Sequence, residues 1–293
     1  MTENPIVLRD VRKSYDRKPV LTGVDLEIPP GSVVGLLGRN GAGKSTMIKC
    51  LLGMIRADRG ELRVFGQDSW HLDGDAKARL GFVAQDVELY PWFTVRETLD
   101  YVGSFYRMWN ATFAVDTARA WDLDLDQKCG TLSRGQVQRL GIVLALGHEP
   151  ELLVLDEPAA SLDPSARRHF LSTVLDRVVE IGQTVLFSTH ITSDVERSAD
   201  RVAVLRDGRI EVFEELDTLK ESTKRIRLVS KHDLPRDLEV AGALTVRVKG
   251  NEAMISMTKQ DDDLIARLES DWHARAEIQD LNLEEIFLEL HHG

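Results

Sequence analysis

The stretch Gly38-Arg39-Asn40-Gly41-Ala42-Gly43-Lys44-Ser45-Thr46 constrains this chain more than any other. It fits the spacing G-x-x-x-x-G-K-[ST], following the apolar run Val33–Leu37 and opening a helix-forming stretch, Lys44–Leu52, that Gly53 ends. Strand before and helix after are what the chemistry of such a loop requires. Glycines let the backbone wrap a phosphate with its N–H groups, and the helix start adds positive potential. Lys44 is then placed to neutralise the β- and γ-phosphates of a nucleoside triphosphate, with the Ser45 hydroxyl as a Mg²⁺ ligand. Gly38, Asn40, Gly41, Ala42, Gly43, Lys44, Ser45 and Thr46 are the candidate nucleotide-binding residues.

A second signal depends on the first. Leu152-Leu153-Val154-Leu155-Asp156-Glu157 is an apolar strand ending in two carboxylates. Such a strand cannot hide charge, so both emerge at its C-terminal edge, beside the phosphate loop. There Asp156 is expected to hold Mg²⁺ through water, and Glu157 to polarise an attacking water.

From Ile6 to about Glu215, short β-branched runs alternate with stretches of helical period, the pattern of an α/β layer fold. The N-terminal part reads instead as a meander of strands at Ile6–Leu8, Val20-Leu21, Val24–Ile28 and Leu62–Phe65. After Gln85 the chain turns aromatic and helical. Tyr90-Pro91-Trp92-Phe93 precedes a capping box, Thr94-x-x-Glu97, and a helix with Val95, Leu99, Val102 and Tyr106 on one face. The C-terminal stretch predicts a hairpin of Leu244–Val248 with Ala253–Met257, a helix after Asp261-Asp262-Asp263, and a final helix capped by Asn282. Residues 1–221 are read as the main domain, with a helical insert at about 86–150, and 222–293 as a small α+β appendage.

Composition narrows the class. The chain has 293 residues, with 37 Lys and Arg against 48 Asp and Glu, a formal charge of −11 that argues against bulk attraction to nucleic acid or an anionic membrane. No apolar run approaches the length of a membrane span, and Met1–Pro5 carries no basic segment followed by an apolar one, so no signal peptide is expected. Cys50 and Cys129 form no CxxC pattern and are expected as free thiols in a reducing cytosol. His291-His292 is read as a solvated tail rather than a metal site.

Further motifs carry a family resemblance. Leu132-Ser133-Arg134-Gly135-Gln136 resembles the LSGGQ signature of ATP-binding-cassette (ABC) ATPases, upstream of Leu152–Glu157 as in that family. Gln85 after Leu80–Ala84 is similar to the Q-loop, Ser161-Leu162-Asp163 to the D-loop, His190 to the switch histidine, and Tyr15 to the aromatic residue that stacks on adenine. The resemblance implies a P-loop NTPase cassette of α/β class: a RecA-like core, an N-terminal antiparallel β subdomain and a helical subdomain, here with a C-terminal α+β appendage. It implies that Glu157, His190, Lys44 and Gln85 serve hydrolysis, and that Ser45, Gln85 and Asp156 hold Mg²⁺. It also implies that two cassettes sandwich ATP head-to-tail, with Ser133, Gly135, Gln136 and Asp163 reaching the nucleotide of the other. Arg134 departs from the family's first signature glycine, and Ala159-Ala160 from the commoner Thr-Ser or Thr-Asn.

The resemblance further implies the ATPase subunit of a transporter on the cytoplasmic face of the cell membrane, with the permease as a separate polypeptide and a second cassette identical to this one or different. The aromatic segment Tyr90–Phe93 lies beside Gln85, where the family receives its permease; it serves there as an interface anchor or packs in the insert's own core. Asp280–Leu290 is similar to the "SLEEVFLEL" ending, and Thr94–Leu99 to the "TVRENL", of single-cassette subunits of type-2 exporters, which favours export. The alternative is a non-transport ABC ATPase acting on DNA or ribosomes; a single phosphate loop, no sustained heptads and an acidic balance stand against it.

Overall fold

Among the described residues, three strands are buried along their whole length. They are β3 (Val33–Leu37), β7 (Leu152–Leu155) and β8 (Thr184–Thr189). A strand covered on both faces belongs inside a sheet with layers on either side, which explains the unbroken apolar runs. The computed structural model describes residues 3–160, 167, 182–258 and 262–292. Asp163 and the rest of Ser161-Leu162-Asp163, Asp261, and the side chains of His291 and His292 lie outside the described residues.

The chain forms two compact units, Met1–Phe213 and Glu214–Gly293. The second unit so divided includes the helix Leu216–Ser222, which the boundary read from the sequence, at 221/222, splits from the appendage. In the first unit, β3, β7 and β8 join β6 (Leu80–Val83), β9 (Arg201–Arg206) and β10 (Arg209–Glu215) in a sheet of order β10-β9-β3-β8-β7-β6. The pairs from β9 to β6 are parallel, so the carboxyl ends of β3, β6, β7 and β8 share one edge.

A second, antiparallel sheet has the order β2-β1-β4-β5, from β1 (Ile6–Tyr15), β2 (Lys18–Ile28), β4 (Arg59–Val64) and β5 (Gln67–Asp68). The runs Val20-Leu21 and Val24–Ile28 are one strand, not two: register shifts in the β1–β2 ladder carry the chain through Gly23 without ending it. The helix Lys44–Leu51 buries Met47, Ile48 and Leu51 in one core with Ile6, Leu8 and Leu21 of this sheet and Leu36 and Leu186 of the parallel one.

The helical insert has its own core, where Val95 and Leu99 meet Ala114, Ala118, Leu140 and Val143. Its first helix, Val95–Gly103, opens on the capping box expected: the Thr94 hydroxyl accepts the Glu97 N–H at 3.0 Å, and the Glu97 carboxylate accepts the Thr94 N–H at 2.7 Å. Tyr106 lies beyond this helix rather than on it. The chain turns after Gly103 so that Trp109 folds back; a Cβ at Gly103 would stand 2.6 Å from the indole nitrogen. Tyr106 then stacks on His148 with ring centroids 4.1 Å apart. Tyr90, Trp92, Tyr101, Phe105 and Met108 remain exposed, so this aromatic segment is not the insert's core.

The second unit is an antiparallel sheet of order β12-β13-β11-β14, from β11 (Thr223–Ser230), β12 (Ala243–Lys249), β13 (Glu252–Thr258) and β14 (Ala274–Asp280). Ile226, Leu228, Ala253, Ile255 and Met257 alternate onto one face and pack with Leu268 of the helix Asp262–Asp271. The final helix, Leu283–His292, opens on a reciprocal cap in which Asn282 accepts the Glu285 N–H at 2.9 Å and donates its own N–H to the Glu285 carboxylate at 3.1 Å. It buries Leu283, Ile286 and Glu289.

Glu289 is 3% exposed and lies 2.8 Å from Arg225 and 3.1 Å from Arg247. Burial pushes its carboxyl up, but hydrogen bonds from Thr245 and Arg225 and the charges of Arg247 and Arg225 outweigh that and hold it below the ordinary glutamate value. The stability this confers is complete above that ordinary value of 4.5 and is lost as pH falls through the lower folded value. Arg247 reaches solvent, so Glu289→Ala is expected to destabilise the C-terminal unit by about 2 kcal/mol near neutral pH, under the range for a wholly buried pair. Denaturant melts at pH 7 and pH 3 check this: the wild-type advantage at pH 7 should shrink at pH 3.

Candidate functional site

The loop after β3 is held by conformation before any side chain contributes. Gly43, which caps the helix Lys44–Leu51, has φ 107°, and a Cβ there would meet Leu21 Cδ2 at 3.0 Å and the Val20 carbonyl at 3.2 Å. Only glycine takes that backbone without strain. Lys44 follows, 6% exposed, with its Nζ donating to the Gly38 carbonyl at 2.8 Å. The ammonium therefore bridges the loop it belongs to, and its second partner is Glu157 Oε1 at 3.0 Å.

Glu157 comes from the end of β7. The Asp156 N–H still donates to Val83 of β6, 2.9 Å away, and the chain then turns, Glu157 taking φ 48°. This conformation is uncommon for a side chain of its size. The turn aims the carboxylate into the cleft, where Oε2 meets His190 Nδ1 at 2.9 Å. Behind it, the fully buried Ser188 hydroxyl donates to Asp156 Oδ1 at 2.6 Å and accepts the Glu157 N–H at 2.9 Å. Lys44, Glu157 and His190 thus form one chain of contacts across the carboxyl ends of β3, β7 and β8.

These groups wall a cavity of about 520 Å³. Its lining contains Tyr15, the loop residues Asn40, Gly41, Gly43, Lys44, Ser45 and Thr46, and Gln85, Glu157 and His190. Tyr15 is 45% exposed and ends β1; the hairpin behind it turns through Asp16 and Arg17, both with positive φ. Asp156 does not line the cavity but lies buried behind Glu157. Val20 and Ala160 also line it, and Ser188 supports it; sequence reasoning noted Ala160 only as a departure from the family pattern and gave neither Val20 nor Ser188 a role at the site. Ser188 left a trace, a polar residue in the otherwise apolar buried run Val185-Leu186-Phe187. A larger cavity of about 550 Å³ lies at the opposite, amino-terminal ends of the strands, beside Arg79, Glu151 and Gln183, and holds none of this chemistry.

Ser133, Gly135 and Gln136 are not brought to the cavity. They open the helix Arg134–Leu146, where the Ser133 hydroxyl accepts the Gln136 N–H at 3.3 Å and the Gln136 side chain accepts the Ser133 N–H at 2.9 Å. Arg134 is the first residue of this helix and does not have a positive φ, so its position does not require glycine. Gly43→Ala is expected to destabilise the loop by about 1–3 kcal/mol, read as a lower midpoint in a denaturant melt of the full chain.

The geometry agrees with what this chain is similar to. The ABC transporter family matches residues 21–160. Over 300 residues the chain is 33% identical to the Nod factor export ATP-binding protein I of Burkholderia lata, covering 98% of this chain and 96% of that protein. Over 206 residues it is 34% identical to the linearmycin resistance ATP-binding protein LnrL of Bacillus subtilis (strain 168), covering 69% of this chain and 66% of that one. Among solved structures it resembles an ATP-binding cassette dimer in a post-hydrolysis state bound to ADP and Pi, with TM-score 0.64, 28% identity, and coverage of 72% of this chain and 98% of that one. A bacterial Atm1-family ABC exporter with ATP bound gives TM-score 0.65 and 28% identity, covering 75% of this chain and 40% of that one. The chain belongs to the ABC transporter family, as one of its ATP-binding, ATP-hydrolysing subunits.

Proposed function

We propose that this chain binds MgATP in the 520 Å³ cavity, closes head-to-tail against a second cassette, and drives export through a separate membrane permease. The observation that carries the reading is the convergence in that cavity of Tyr15, the phosphate loop, Gln85, Glu157 and His190, from five distant stretches of chain. A buried lysine opposite a glycine-bent loop suits a polyphosphate, since N–H groups and one ammonium face the same space.

The donors also suit a divalent cation that keeps much of its water. Ser45 and Gln85 line the cavity and offer hard oxygen donors, which together with the substrate phosphates would suit Mg²⁺, with Asp156 reaching it through water. When bound, Mg²⁺ screens the phosphate charge and polarises the bond to be cut. Lys44 neutralises the β- and γ-phosphates, and the exposed Tyr15 ring stacks on the base. Glu157 accepts the proton of the attacking water while His190 holds its other oxygen.

Ser133 and the residues that open the helix Arg134–Leu146 do not line this chain's own cavity, which suits a role at a partner's nucleotide; Asp163 is assigned the same role from sequence alone. Identical cassettes are the simpler assembly, because each then supplies a full set of residues to the other. The permease side is read from the insert. A groove of about 270 Å³ is lined by Phe82, Ala84, Asp86, Val87, Val102 and Tyr106, on either side of Gln85 in the chain, and Tyr90, Trp92, Phe105 and Met108 of the same insert are exposed. No helix among the described residues is long and apolar enough to cross a membrane. The relatives named as ATP-binding proteins of exporters support a separate polypeptide as the pathway, with this chain working peripherally on the cytoplasmic face of the membrane. The export direction draws on the relatives named for Nod factor export.

Glu157→Gln is expected to keep ATP binding, lower turnover by about two to three orders of magnitude, and accumulate the closed dimer with ATP. Turnover near that of the wild type would remove Glu157 from the role of base. The exposed pair Trp92→Ala/Phe105→Ala is expected to weaken association with the permease about tenfold, measured by co-purification, while the ATPase rate of the isolated chain stays unchanged. Full recovery of the complex would exclude the aromatic segment from the docking face.

A further inference from the structure

Ser188 stands out as a fully buried hydroxyl near the end of β8. Val185, Leu186 and Phe187 before it are wholly buried and apolar, Thr189 after it is 4% exposed, and Ser188 itself is 0% exposed. A buried hydroxyl is tolerated only when satisfied, and this one is satisfied twice, by groups of adjacent residues in the active site. It donates to Asp156 Oδ1 at 2.6 Å, a length typical of a hydroxyl bound to a carboxylate, and accepts the Glu157 N–H at 2.9 Å.

The two bonds meet where β7 stops. Asp156 keeps its backbone bond to Val83, but Glu157 turns to φ 48° and its N–H leaves the strand ladder for the Ser188 hydroxyl. That turn presents the Glu157 carboxylate to Lys44 at 3.0 Å and His190 at 2.9 Å. We propose that Ser188 is a positioning residue for both acidic groups: one hydroxyl fixes the Asp156 carboxylate for the divalent cation and pins the turn that aims Glu157 at its partners. The inference rests on the reading of Asp156 as the metal-side carboxylate and Glu157 as the base. Without the hydroxyl, a buried N–H and a buried carboxylate oxygen both lose this partner, and the acidic pair is freed to rotate.

Ser188→Thr and Ser188→Val test this in the full-length chain, since threonine and valine match in shape and differ by the oxygen. Mn²⁺ is titrated by electron paramagnetic resonance into each variant with a non-hydrolysable ATP analogue, alongside metal-free analogue binding and kcat. The valine variant is expected to bind Mn²⁺ about tenfold or more weakly than the threonine variant, with kcat reduced in step and metal-free binding matched within about twofold. Threonine should stay close to the wild type. Equal Mn²⁺ affinities in the pair overturn the proposal, as does a valine variant whose metal-free binding falls as far as its Mn²⁺ binding. Asp156→Asn, measured alongside, separates the two levels. If it weakens Mn²⁺ binding while the threonine and valine variants match, only the role of Ser188 fails. If it leaves Mn²⁺ binding unchanged, the reading of Asp156 fails with it.

Discussion

Burial of β3, β7 and β8 on both faces is the constraint from which the rest follows. A strand with no solvated face can carry polar chemistry only at its ends, and parallel pairing puts those ends together. The phosphate loop, Asp156-Glu157, Ser188 and His190 are therefore neighbours because their strands are buried. The glycines of the loop refine that placement but do not create it; the sheet does.

Within that edge, charges are placed where each has a partner. Lys44, 6% exposed, lies between the Gly38 carbonyl and Glu157, and Glu157 lies between Lys44 and His190. In a low-dielectric cleft such a network is favourable when every member is satisfied and costly when one is not. The C-terminal unit repeats the arrangement, with Glu289 between Arg225 and Arg247. There the same physics fastens a helix to a sheet.

What the sequence revealed follows the range of each interaction. The phosphate loop, the Thr94–Glu97 cap and the Asn282 cap were legible because each is a local demand of backbone on side chain. The C-terminal hairpin was legible from its alternation. β11 and β14 were not: Ile226 and Leu228 sit among Lys224, Arg225 and Arg227, and Ile278 is the single large apolar residue of Ala274–Asp280. Their pairing, Lys224 opposite Asp280 and Ile226 opposite Ile278, is set across some fifty residues of intervening chain, beyond the reach of any periodicity. Ser188 was missed for the same reason, since its two partners come from another strand.

The hairpin that carries Tyr15 differs in kind from the loop that carries Lys44. It turns at the protein surface through two non-glycine residues with positive φ, and its ring is nearly half open to water. In the proposed binding mode the polyphosphate tail meets a loop fixed by Gly43 and by the buried Lys44, whereas the heterocycle meets the exposed ring of Tyr15. On that reading a purine of either kind would offer a face to that ring, and the fuel would be graded by its phosphates more strictly than by its base.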